Sequence, residues 1–313
     1  MSLKALAGQR LLVTGVDGFV GRHVARAASL AGATVVGISR NPTPDPELYS
    51  ILDEHYVADL RDEWPTGLVG DVVIHLAGRA AVGPSFDSPQ TYISENSSIT
   101  TTVCENLLAL GGVRRLIGVS TGAVYAAPMP ATESISENAR THMSSPYVVS
   151  KVLVENQLAY YQTRGLETVV ARPFNHVGPG QGPGFLVPDL LQRLKILPEG
   201  QPLQVGNLST ARDYTDVRDI ADAYVGLAIA PKLNDRLYNV ASGRATSGYQ
   251  ILEMLCSSLG RSVPELDVDQ SFLRPTDVPS IRGSADRLTN EIGWRPDVLL
   301  PQTIADAVRT SSG

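Results

Sequence analysis

The sequence predicts an α/β protein: a doubly wound parallel sheet followed by a smaller C-terminal α/β lobe. Three observations carry this expectation. Short apolar runs without alternation recur through the first half, spaced by stretches long enough for helices, as strands buried on both faces require. Glycines at 15, 18 and 21 follow the first run directly, where a strand would turn tightly into a helix. After about residue 175 the sequence becomes rich in Gly and Pro and then shows only short helical patterns, which suits a second lobe closing over the sheet's carboxyl edge.

Taken in order, "RLLVTG" (10–15) reads as a buried strand and 19–31 as its helix. "TVVGISR" (34–40) is a second strand, "HYVAD" (55–59) a short third and "DVVIHLAG" (71–78) a fourth. A helix over 89–111 leads to the strand "RRLIGVS" (114–120), and a helix over 146–164 to "ETVVARP" (167–173). "NHVGPGQGPG" (175–184) is too rich in Gly and Pro for an element interior. Helical patterns resume at 217–230 and 247–260, with short strand-like runs between them.

Composition narrows the function classes. The 313 residues are 43% hydrophobic and 19% charged, the balance of a globular protein with a sizeable core. A net charge of −6 without a basic run argues against nucleic acid and anionic membrane as partners. No apolar stretch approaches the ~20 residues of a membrane span, and the N-terminus lacks a signal-peptide pattern. Two separated cysteines, Cys104 and Cys256, suit a reducing cytoplasm. The five histidines show no zinc-type spacing, so no metal site is expected.

The chemistry-bearing residues begin in "VTGVDGFVG" (13–21). Gly15, Gly18 and Gly21 permit a tight turn, close backbone approach to a pyrophosphate and close helix–strand packing. The helix that starts at Phe19 and Val20 would offer free amides to the phosphates. At the end of the second strand, an acidic residue would select NAD through the ribose hydroxyls. Ser39 and Arg40 stand there instead; a guanidinium suits a 2′-phosphate, so NADP(H) is favoured and NAD(H) remains open. In "SSPYVVSK" (144–151), Tyr147 and Lys151 lie four apart, on one face of a helix. Alone, that spacing also fits a buried ring beside a solvated lysine.

The motifs together resemble the extended short-chain dehydrogenase/reductase family. Gly-x-x-Gly-Phe-x-Gly at 15–21, "ADL" at 58–60, "HLAG" at 75–78, "STGAVY" at 120–125 and "PYVVSK" at 146–151 carry the likeness. "RPFNHVGPGQ" (172–181), "ARDYTDVRD" (211–219) and "RPTDVP" (274–279) extend it over essentially the whole chain. The resemblance implies a Rossmann domain over 1–174 and a sugar-nucleotide lobe over 175–313, with some segments crossing between them. It implies Thr121, Tyr147 and Lys151 as the catalytic set, with Lys151 lowering the phenol's pKa and also holding the nicotinamide ribose. Asp59 and Leu60 match its adenine contact, Leu76, Ala77 and Gly78 its cofactor path, and Pro173 its nicotinamide side. Asn96 matches a supporting helix amide, though a helix-surface amide is a fair reading of the residue itself. Asn175, Val187, Arg212 and Arg274 match positions that contact the nucleotide sugar. His176 either reaches substrate or pins its Gly-Pro loop.

Family members with dehydratase activity carry acidic residues just after the catalytic threonine; here Gly122 and Ala123 occupy those places, which argues against dehydration. "RPFNHVGPGQGPGFLVPDLL", "GNLSTARDYTDVRDI" and "LRPTDVPSIRGSADRLTNEIGW" most resemble GDP-4-keto-6-deoxymannose reductases. The expected reaction is therefore reduction of the C4 ketone of a GDP-4-keto-6-deoxyhexose, with Tyr147 as proton donor. An NDP-sugar 4-epimerase with retained NAD, which Gly122 and Ala123 also suit, is the first alternative. A non-catalytic dinucleotide sensor is the second. The resemblance also implies a homodimer pairing the helices near 89–111 and 146–164, where Ala109 and Ala159 would permit close approach.

Overall fold

The computed structural model of the chain describes residues 6–126, 133–269 and 278–311. β1 (Arg10–Thr14) leads through α1 (Phe19–Leu30), β2 (Thr34–Ser39), the short α2 (Pro46–Tyr49), β3 (Glu54–Val57), β4 (Val72–His75), α3 (Pro89–Leu110), β5 (Arg115–Val119) and α4 (Pro146–Thr163) to β6 (Thr168–Pro173). Apart from α2, which the sequence reading did not include, these follow the expected elements closely. The fourth strand stops at His75 instead of running on to 78, because the amides of Leu76 and Ala77 each donate to the Thr14 hydroxyl oxygen at 3.1 Å. That capture peels the chain off the ladder beside the β1–α1 turn.

The second half contains β7 (Asn175–Val177), α5 (Leu186–Ile196), β8 (Leu203–Val205), β9 (Ala211–Asp216), α6 (Val217–Ile229), β10 (Leu237–Val240), β11 (Ala245–Ser247), α7 (Gly248–Ser258), β12 (Leu266–Val268), β13 (Ser280–Ile281), α8 (Asp286–Ile292) and α9 (Leu300–Thr310). Not all of it stays in a second lobe. β10 pairs in parallel with β6 and completes a seven-stranded sheet of order β10-β6-β5-β4-β1-β2-β3. Every neighbouring pair in that sheet is parallel, so this is a Rossmann-like α/β fold.

Along β1, Leu11 and Val13 face one core and Leu12 the other. α1 and α6 cover the first face, through Val24, Ala28, Ile220, Tyr224 and Leu227. α3 and α4 cover the second, through Val103, Leu107, Val154 and Leu158. α6 is buried on nearly every side, which is why it belongs with the main sheet although it follows β9 in sequence. The smaller lobe keeps its own core, in which α5, α7 and α9 contribute Leu190, Leu194, Ile251, Leu255 and Ile304.

Strand order reverses between β1 and β4, since the chain winds outward to β3 and then returns to build the other half. The carboxyl ends of β1 and β4 therefore border the crevice where open α/β sheets take ligands. Among the described residues no helix is long and apolar enough to cross a membrane.

Candidate active site

The crevice is floored by the turn after β1. Gly15 has φ +68°, and a Cβ there would stand 3.0 Å from both Cα and N of Ala77; only glycine satisfies the left-handed backbone and the close approach together. At Gly21 a Cβ would overlap the Gly15 carbonyl oxygen and come within 2.8 Å of Val16 Cα, so α1 lies directly on the loop. The Arg22 amide donates to the Gly18 carbonyl at 3.2 Å. The amides of Phe19, Val20 and Gly21 precede that first turn and have no intrahelical acceptor. A side-chain-free concavity with free amides at a helix N-terminus fits a dinucleotide pyrophosphate. Val20 packs half-buried on the core behind it. Phe19 stacks on His176 of β7, ring centroids 6.0 Å apart, and the His23 Nε2 donates to the Pro179 carbonyl at 3.0 Å. The glycine helix is thus fastened to the Gly-Pro loop of the second lobe.

At the end of β2 the side chains divide. The Ser39 hydroxyl is buried and bonded to His55 Nε2 at 3.0 Å and to the Asn41 carbonyl at 3.3 Å. Arg40 is exposed and acts electrostatically on Asp59. The Asp59 carboxyl is held down at about 2, chiefly by hydrogen bonds from Arg61, and stays ionised. Leu60 is buried in the core on the α3 face of the sheet. Ser39 and the Asp59 carboxylate are therefore engaged by protein, and Arg40 is the exposed cation at this corner.

Across the crevice, Ser145 caps α4 by accepting from the Val148 amide at 3.2 Å, and Pro146 occupies its first turn. This fixes where the helix starts and puts Tyr147 and Lys151 on its buried side. Thr121 lies by the Tyr147 phenol and lowers its pKa, and Thr121 Oγ1 accepts from the Ala123 amide at 3.1 Å. Burial pushes the Tyr147 phenol up to about 12, against the pull of Thr121.

Lys151 does not supply the expected lowering of that phenol. Its Nζ donates to the Val119 carbonyl at the end of β5, 2.9 Å away, because a buried ammonium must find an acceptor. Burial brings Lys151 itself down to about 8, opposed by Glu155.

Asn96 is no surface amide. It is buried; its Oδ1 accepts from the Arg79 amide at 2.7 Å and its Nδ2 donates to Ser150 Oγ at 2.9 Å. It so ties the segment Leu76, Ala77 and Gly78 to the turn of α4 between Tyr147 and Lys151. Behind Thr14, a buried histidine links the two sides. Since Thr14 Oγ1 already accepts two amides, its proton goes to His75 Nδ1, 2.8 Å away, and desolvation holds His75 neutral, its pKa down at about 3.

The substrate end is more dispersed. Pro173 is buried at the end of β6. Asn175 is exposed and stands opposite Tyr214 in the β7–β9 pairing. The His176 Nδ1 donates to the Phe174 carbonyl at 3.1 Å, and the His176 carbonyl accepts from Gln181 Nε2 at 3.1 Å, the geometry of a loop pin. Val187 is buried in the second lobe's core, a packing position. Arg212 donates to the carbonyls of Ala211 and Val278, both at 2.8 Å. Arg274 lies outside the described residues. Gly122 packs on Phe174, whose ring a Cβ would meet at 3.0 Å, while Ala123 beside it is exposed.

Two features escaped sequence reasoning. Asp213 accepts from the amides of Ser242, Gly243 and Gly283 at 2.8, 2.9 and 3.0 Å, stapling three loops beside Arg212. Arg172 pairs with Glu155 and lies over the Tyr125 ring, whose hydroxyl donates to Asn239 Oδ1 at 2.7 Å. The signal available in the sequence was Glu155 itself, one helical turn beyond Lys151.

Comparison with known proteins agrees with this geometry. The NAD dependent epimerase/dehydratase family description matches residues 11–241. The chain belongs to that family. It is 33% identical over 300 residues to the GDP-6-deoxy-D-mannose reductase of Pseudomonas aeruginosa, covering 95% of each chain. It is 29% identical over 318 residues to the UDP-glucose 4-epimerase of Azospirillum brasilense, covering 95% of this chain and 90% of that one. The structure of RMD from Pseudomonas aeruginosa complexed with NADPH superposes with a TM-score of 0.82 at 30% identity, covering 97% of this chain and 100% of that chain. As a member of this family the protein is an enzyme of the extended short-chain dehydrogenase/reductase type, an NAD(P)-dependent reductase or epimerase of nucleotide sugars.

Proposed function

We propose that the protein reduces the C4 ketone of a GDP-4-keto-6-deoxyhexose, with Tyr147 as proton donor and NADPH as reductant. The observation that carries this reading is the Tyr147 phenol, buried beside Thr121 on the first turn of α4 and pushed up by burial to about 12. It is fully protonated at neutral pH, the form an acid must start from. Bound NADPH supplies the hydride. Thr121 and Tyr147 both address the ketone oxygen; Thr121 holds it and Tyr147 gives it a proton as negative charge develops. Lys151 donates to the nicotinamide ribose. The glycine loop holds the pyrophosphate, and Arg40 meets the adenosine 2′-phosphate.

Two further facts support the choice. The relative with a reductase name aligns over 95% of both chains, and a structural neighbour at 30% identity is described in complex with NADPH. An NDP-sugar 4-epimerase is the second reading, favoured by the 29% identical UDP-glucose 4-epimerase and by Gly122 and Ala123. The two differ in the fate of the cofactor. A reductase releases oxidised cofactor each turnover, whereas an epimerase regenerates and keeps it. Purified protein should consume added NADPH with GDP-4-keto-6-deoxymannose. Tightly bound NAD⁺ together with conversion of UDP-galactose, without NADPH consumption, would favour the epimerase. The same reading includes a cytoplasmic homodimer built on α3 and α4, on which Ala109, Val149, Ala159 and Tyr160 are exposed.

A further inference from the structure

Lys151 is a buried cation whose one hydrogen bond among the described residues goes to a neutral acceptor, the Val119 carbonyl. Glu155 follows one turn along the same helix. Glu155 Oε1 accepts from Ser120 Oγ at 2.5 Å and from Arg172 Nε at 2.8 Å, and its Oε2 accepts from Arg172 Nη2 at 2.6 Å. Ser120 immediately precedes Thr121, and Arg172 immediately precedes Pro173. One carboxylate thus joins α4 to the ends of β5 and β6. The groups that bear electrostatically on Lys151 are few: Glu155 on its own helix and His75 of β4, which stays neutral. Arg172 approaches from β6 across the carboxylate, and Tyr125 stacks beyond it. The Lys151 ammonium holds the Val119 carbonyl while Glu155 holds the hydroxyl of the next residue, Ser120, so the carboxylate that pairs with Arg172 also sits one residue from the lysine's own acceptor. Arginine does not deprotonate in proteins, so lysine is the one that yields when the anion is withdrawn.

We propose that Glu155 is the positioning residue that keeps Lys151 cationic in the working site, and that Arg172 sets how much of the carboxylate's charge Lys151 receives. This rests on the reading in which Lys151 holds the cofactor as a cation. It predicts that two substitutions in one ion pair act in opposite directions. Glu155→Gln leaves Lys151 beside Arg172 with no anion, so Lys151 loses its proton at lower pH. Arg172→Met frees the carboxylate for Lys151, which then keeps its proton to higher pH. General damage to packing would not produce opposite signs.

The test is the pH dependence of NADPH affinity, read by NADPH fluorescence from pH 6 to 10, with kcat measured in parallel. Wild type should lose affinity on an alkaline limb, and Lys151→Met should abolish that limb. Glu155→Gln should move it to lower pH by about one unit or more; Arg172→Met should move it to higher pH. If Lys151→Met retains the wild-type limb, the reading of Lys151 itself fails. If Lys151→Met removes the limb but the other two variants leave it in place, or shift it the same way, the Glu155 proposal alone is overturned. Should Glu155→Gln not fold, the alkaline direction of the Arg172→Met shift and an intermediate acid shift in Glu155→Asp decide the matter.

Discussion

Two glycines of the β1–α1 turn should separate stability from binding when each is replaced by alanine. Gly21 faces backbone on both sides: a methyl would overlap the Gly15 carbonyl and come within 2.8 Å of Val16 Cα. Neither neighbour can rotate away, so α1 must lift off the loop, at a cost of ~1–3 kcal/mol, the range for overpacking. Gly18 is exposed, at φ −70°, a backbone any residue adopts. Its methyl would meet only the Gly15 oxygen, at 3.1 Å, so Gly18→Ala should cost no more than about 1 kcal/mol of stability. Yet that methyl would stand among the free amides that the pyrophosphate needs. Losing one charge-assisted hydrogen bond is worth ~1.5–3 kcal/mol, so affinity should fall at least about tenfold. Urea denaturation measures the first quantity and fluorescence titration with NADPH and NADH the second. Gly18→Ala binding dinucleotide as tightly as wild type would refute the reasoning, because the loop would then not be the phosphate cradle.

Three other outcomes are expected. Arg40→Asp should weaken NADPH more than NADH by ~1–3 kcal/mol, the value of a charged hydrogen bond; an unchanged affinity ratio in titrations would mean that Arg40 does not read the 2′-phosphate. His75 takes a proton near 6.5 when unfolded but only at about 3 when folded. Between those values the unfolded chain binds more protons, so stability falls as pH falls, and His75→Gln should make that loss shallower by up to ~1.4 kcal/mol per pH unit in urea melts. Light scattering at micromolar concentration should give a dimer mass, and charged substitutions at the exposed Val149 and Tyr160 should return it to a monomer.

β1, β2, β4, β5 and β6 were legible because parallel strands buried on both faces are short continuous apolar runs, which sequence reports directly. The helix expected over 146–164 matched α4 as well. The seventh strand was not legible. "LYNV" is four residues long and takes its place only because β6 offers a free edge, a partnership formed across the sequence that no local pattern encodes. α6 looked like part of the second lobe for the same reason, although its near-complete burial shows in "VRDIADAYVGLAIA" once one asks what covers it. At the site, the spacing of Tyr147 and Lys151 correctly put both on one helix face. It could not say that the ammonium would turn to the Val119 carbonyl, nor that Ser39 would be engaged by His55, since both depend on neighbouring strands.

The central claim is that Tyr147 gives the proton, and Tyr147→Phe tests it most directly by removing one hydroxyl while keeping the buried ring. With NADPH and GDP-4-keto-6-deoxymannose, kcat should fall by roughly 10²–10⁴-fold while NADPH affinity stays close to wild type. A variant that folds, binds NADPH and retains more than about a tenth of the wild-type kcat would contradict the account, because losing a general acid costs more than that.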